Sequence, residues 1–176
     1  IRDKSRSRGL GDVYKRQYFD SEADKAGYDG SSAEYIVQRG LVVDGIELEL
    51  KGKVNDNLDV TFGYTSMDGK NGTKDAREIP ETMYSMWANY EVNPKLGWAV
   101  GVMHQGESLI KDGGTQMLPD YTRVDAAVYL MLSDDFRLQV NMENLTDELY
   151  FPHSHSTHQV SVGRERNIRL SLTRNF

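Results

Sequence analysis

The connections in this chain are sorted by length. Three are tight and polar: Asn55-Asp56-Asn57, Asn93-Pro94-Lys95 and Ser133-Asp134-Asp135. They alternate with long polar loops over 68–80, 105–118 and 143–160. The segments they join alternate apolar and polar residues with period two, the mark of strands with two unlike faces. Phe136, Leu138, Val140 and Met142 stand between Arg137, Gln139, Asn141 and Glu143. The same pattern runs through Ile46–Leu50, Leu58–Tyr64, Tyr84–Val92, Leu96–Val102, Val124–Leu132 and Ile168–Leu172. Short turns at one rim and long loops at the other predict an all-β, antiparallel up-and-down meander of about seven strands, the first beginning at Tyr35.

Two surroundings suit such strands: a half-buried sheet in water, or a barrel wall with lipid outside and a wet lumen inside. The faces opposite the apolar ones carry Glu47, Glu49, Lys51, Arg123, Asp125 and Arg137. That is too much charge for a dry core, where an unpaired ion is costly. Strands of about ten residues also fit the ~9–11 needed to cross a bilayer with tilt. Sorted connections match the short periplasmic turns and long extracellular loops of outer-membrane barrels. The pattern therefore favours a segment of a large transmembrane barrel, not closed within this chain. A passive porin and a soluble β-sandwich binding module are the rival readings, the latter marked by partitioning to the soluble fraction. In a barrel, Trp98, Tyr84, Tyr90 and Tyr121 are expected at the membrane interfaces, with Trp87 on the inward face.

Composition removes other classes. No run of about 18 apolar residues exists, so no helix can cross a membrane, and a mean hydropathy of −0.62 is compatible with strands that are half polar. There is no cysteine, hence no disulfide framework, thiolate metal site or cysteine nucleophile. A net charge of −6 argues against a nucleic-acid partner. No nucleophile elbow, phosphate-binding loop, dinucleotide fingerprint or His-Glu-x-x-His pair is present, and no enzyme activity is expected.

Residues 1–17 are basic and aperiodic and resemble translated sequencing-adapter sequence. They are expected to be a non-native tag or disordered arm, leaving 18–176 as barrel. Residues 20–33 are polar and rich in Gly and Ser, a loop composition. The chain ends on Phe176, an aromatic terminus common in outer-membrane barrels.

Ordered blocks across 35–176 resemble the C-terminal barrel region of TonB-dependent ferric-siderophore receptors. They are Gly45–Gly52, Gly63-Tyr64-Thr65, Ile79-Pro80 with Trp87–Tyr90, Leu118–Ala126, Asn141–Asp147 with Tyr150-Phe151, and Gly163-Arg164 through Phe176. The run Tyr150-Phe151-Pro152-His153 looks most like receptors for ferric catecholates. Arg174 departs from the family, which usually has an aromatic residue two positions before the terminal Phe. The resemblance implies residence in the bacterial outer membrane, contact with its lipid, and import of a ferric siderophore as transported ligand, with no resident cofactor. It also implies coupling to the TonB energy-transducing complex through an N-terminal plug that has no counterpart in these residues. Function then belongs to a longer parent protein, and residues 18–176 alone are expected not to fold into a working barrel, because open strand edges in lipid are unsatisfied.

The loop residues His153, His155 and His158 are the candidate ligand-contact and metal-ligating groups, since clustered imidazoles suit transition metals or haem iron. Haem, or another metal chelate, is the natural rival cargo. Arg164 and Arg166 are candidates to attract an anionic chelate, against the plainer reading that they pair with acidic neighbours.

Overall fold

The computed structural model describes residues 13–29 and 34–174. In chain order the strands are β1 (Val13–Asp29), β2 (Glu34–Asn55), β3 (Leu58–Asn71), β4 (Lys74–Asp75), β5 (Thr82–Asn93), β6 (Leu96–Gln105), β7 (Ser108–Leu109), β8 (Met117–Leu118), β9 (Tyr121–Met131), β10 (Phe136–Glu143), β11 (His153–Ser154), β12 (Val160–Ser161) and β13 (Asn167–Arg174). The large sheet runs β1-β2-β3-β5-β6-β9-β10-β13, every pairing antiparallel, with β4 folded back on β3. The small pairs β7-β8 and β11-β12 lie in the long connections. The meander is therefore as expected, and β1 and β13 form its two open edges.

Eight long strands cross the sheet rather than seven. The additional one is β1, which takes in Val13–Gln17 and most of the stretch expected to be loop. Gln17 sits opposite Glu47, Tyr18 opposite Ile46 and Tyr28 opposite Tyr35. The last strand starts at Asn167 rather than Arg164, and Phe176 lies outside the described residues.

Register decides which residues share a face. Leu50 faces Phe62, Phe62 faces Met86, Met86 faces Val102, and Val102 faces Val124. Further on, Val128 faces Val140 and Val140 faces Leu170. Side chains on paired residues point the same way, so these form one unbroken apolar band on one side of the sheet. On interior strands of the sheet, Ile46, Met86 and Val100 of this face are 46%, 44% and 36% exposed, a continuous apolar surface suited to hydrocarbon. Tyr90 packs on Trp98 near the short turns, and Tyr84 stacks on His104 towards the long loops, both on this outer face. Tyr121 departs from the expected girdle. It shares parity with Arg123, points inward, and is buried against Tyr150.

The inner face is polar, with Glu47, Glu49, Asn89, Arg137, Gln139 and Asn141 in register. Its tight places are filled by small residues. Ala99 and Ala127 pair across β6 and β9 and are 1% exposed each. The Trp87 indole lies over Gly101, where a Cβ would come within 1.8 Å of the ring. Trp87 Nε1 donates to Asn89 Oδ1 at 3.0 Å, so the polar edge is satisfied.

Two of the short turns are built alike. Asn55 Oδ1 accepts from the Asn57 N–H and Asn93 Oδ1 from the Lys95 N–H, both at 2.9 Å. An asparagine that imitates a backbone turn explains why each reversal starts there. The turns also hold each other, as the Glu91 N–H donates to Asn57 O and the Met131 N–H to Lys95 O, both at 2.8 Å.

Candidate functional site

All three long loops leave the same rim, and they are locked together. Glu78 is one junction. Its N–H donates to Leu109 O at 2.9 Å, and its carboxylate accepts from the Ser154 N–H at 2.8 Å. One residue thus ties its own loop to the two others. Its φ is 58°, a backbone state few non-glycine residues hold without surrounding support. Asp112 is the second junction, accepting from Asn71 Nδ2 at 2.7 Å and from the Arg77 N–H at 2.8 Å. The Gly113 N–H then donates to Asp75 O at 2.8 Å, and Ser154 Oγ reaches Ile110 O at 3.4 Å. Lys70 bonds Asp75 with Asp68 also near, and the bond to Asp75 holds its ammonium above the ordinary lysine range.

The third loop is pinned where it leaves the sheet. Asn144 is 1% exposed, with φ 53°. Its Nδ2 donates to Glu148 O at 2.9 Å and to Arg164 O at 3.0 Å, and its Oδ1 accepts from the Glu148 N–H at 2.9 Å. Its own N–H donates to Asp125 Oδ1 at 2.9 Å, while Asp125 Oδ2 pairs with Arg123 at 2.8 Å. Arg123 also donates to the Tyr150 hydroxyl at 3.2 Å. The loop therefore rests on a charged pair at the top of β9. Most buried residues cluster in this cap: Ala76, Ser108, Leu118, Tyr121, Asn144, Tyr150 and Ser154 are all 7% exposed or less.

The candidate residues separate into four fates. His155 Nδ1 and His158 Nε2 come to 3.1 Å across a 3₁₀ turn, Ser156–His158. His153 stays on β11 opposite Ser161. Among the described residues no three His, Asp or Glu side chains converge as a metal-ligand group. Arg166 is held by Asp147, through its N–H to Oδ1 at 2.8 Å and its guanidinium to Oδ2 at 3.7 Å. That is the plainer reading for this arginine. Arg164 contributes its carbonyl to Asn144, and its exposed side chain has no ion pair with a described residue. Sequence reading missed Glu78, Asp112 and the Arg123–Asp125 support, which tie segments far apart in the chain.

An antiparallel meander with a lipid-fit band outside, a polar face inside and gathered loops at one rim is part of the wall of an outer-membrane transport barrel. Residues 11–145 match the family model described as TonB dependent receptor-like, beta-barrel. The chain belongs to that family, whose members are outer-membrane transport receptors and not enzymes. The ferrioxamine receptor of Yersinia enterocolitica is 27% identical over 96% of this chain and 26% of its own length. The crystal structure of the siderophore receptor PiuA from Acinetobacter baumannii superposes with a TM-score of 0.78 at 22% identity, over 93% of this chain and 26% of that one. The ferripyoverdine receptor of the outer membrane of Pseudomonas aeruginosa gives 0.78 at 21%, over 94% and 25%. The chain thus spans about a quarter of the length of these relatives.

Proposed function

We propose that this chain is part of the barrel of a receptor that imports a ferric siderophore. The observation that carries the reading is family membership combined with a siderophore-receptor relative aligned along nearly the whole chain. The geometry agrees with it. Three interlocked loops stand over the polar face, where a hydrophilic chelate would be captured and then passed. The wall itself performs no bond chemistry. Capture falls to the loops, passage to the polar inner face, and energy to the TonB complex acting on a plug.

Tyr150 is occupied by Tyr121 and Arg123, so the run that suggested a catecholate owes part of its character to packing. Ferrioxamine and a ferric catecholate are the two cargoes to try first. The experiment places the receptor that contains this segment in a strain lacking its own siderophore receptors, with and without TonB. Uptake of radioactive iron from one of these chelates, abolished without TonB, is the expected result. Uptake that survives loss of TonB would replace this reading with a passive porin, and uptake of haem alone would replace the cargo.

A further inference from the structure

We infer that His155 and His158 form a two-imidazole site for a borderline divalent ion such as Cu²⁺, Ni²⁺ or Zn²⁺, set in an exposed long loop. Their facing nitrogens, Nδ1 and Nε2, are 3.1 Å apart. With metal–nitrogen bonds of ~2.0–2.1 Å, ligands at this separation subtend about 100° at the ion, between a square and a tetrahedral angle. The rings meet edge to face, 81° apart with centroids 5.0 Å distant, so the nitrogens confront each other rather than stack. Turning each exposed ring by roughly 40° brings both lone pairs onto a common point, since an ion ~2.05 Å from both nitrogens lies that far off the line between them.

The spacing is built into the backbone. The 3₁₀ turn Ser156–His158 bends the chain so that His158, its last residue, comes back against His155, the residue that precedes it. The His155 N–H donates to Gln159 O at 2.8 Å and closes the turn. The neighbouring Ser154 is fixed from two other loops, by Glu78 and Ile110. A pair held in this way loses little freedom when it closes on an ion. One imidazole now donates a proton to the other. A divalent ion takes the place of that hydrogen bond, and the donating ring then carries its proton on its other nitrogen, so both ligands are neutral imidazoles.

His153 is not a member, because β11 pairs it with Ser161 and no third His, Asp or Glu joins among the described residues. The ion therefore keeps open positions for water or for donor atoms of an arriving chelator. The site stands apart from the ferric-siderophore reading, since either cargo or a passive barrel leaves the pair in place.

The test is a Cu²⁺ titration of the purified receptor containing this segment, followed by electron paramagnetic resonance, with Zn²⁺ competition. Wild type is expected to show a saturable site with nitrogen coupling, absent from the His155→Ala/His158→Ala double variant. Each single variant should bind at least about tenfold more weakly, and His153→Ala should bind like wild type. Retained heat-modifiability shows that each variant is folded. No saturable difference from the double variant, or equal weakening by His153→Ala, would overturn the assignment.

Discussion

Replacing Asn144 by alanine should release the third loop from the sheet. The side chain makes three hydrogen bonds to backbone groups, all between 2.9 and 3.0 Å, from a position 1% exposed. At ~1 kcal/mol each, their loss amounts to about 3 kcal/mol. The left-handed backbone at φ 53° adds about 1 kcal/mol for alanine, which tolerates it less well than asparagine. The sum is about 4 kcal/mol of local stability. Asn144→Gly loses the same bonds but escapes the backbone cost, so it should lie about 1 kcal/mol nearer wild type. The assay is amide hydrogen exchange on the receptor in detergent, read at Glu148, Leu145 and Arg166. These amides donate to Asn144 Oδ1, Val124 O and Asp147 Oδ1. Their exchange should accelerate about 10²–10³-fold in the alanine variant, while amides in β5 and β6 stay protected. An alanine variant within about 1 kcal/mol of wild type would refute the pin. A glycine variant worse than alanine would refute the backbone part of the argument.

Three further outcomes follow from the geometry. Gly101→Ala pushes a methyl to within 1.8 Å of the Trp87 ring and should cost about 1–3 kcal/mol; a lowered melting temperature, partly restored by adding Trp87→Ala, checks it. Leu170→Arg places a charge on the lipid face and should cost about 2–4 kcal/mol in refolding into vesicles, whereas Ser171→Arg, on the other face of the same strand, should be nearly neutral. Equal costs would mean that the faces are assigned wrongly. Glu78→Ala should raise protease cleavage within 144–166 by removing the acceptor for the Ser154 N–H, and Glu78→Gly should do so less, because glycine is at ease at φ 58°.

What could be read from the chain depended on where each residue sits relative to the membrane. The long strands β2, β3, β5, β6, β9, β10 and β13 announced themselves because lipid on one side and water on the other impose period two. Asn55 and Asn93 marked turns because their side chains make the turn. The upper part of β1, with Asp20, Ser21 and Glu22 exposed in sequence, lies beyond the apolar band. A strand wetted on both faces carries no alternation and reads as loop. Tyr121 was legible in principle, since Tyr121, Arg123 and Asp125 share parity, but an aromatic residue near a rim drew the interfacial reading first. Glu78 and Asp112 had no local signal at all. Their partners lie 76 and up to 41 residues away in sequence, and nothing short-range marks such a tie.

The split between a sheet with few buried side chains and a cap that holds most of them means that two different media govern one chain. Acyl-chain length and detergent choice should tune the sheet, whose outer face is fitted to hydrocarbon. Salt and urea in the external buffer should act first on the cap, which is joined through carboxylates and backbone amides. A receptor of this design can therefore lose its recognition surface to a change in its surroundings while its wall stays intact in the membrane.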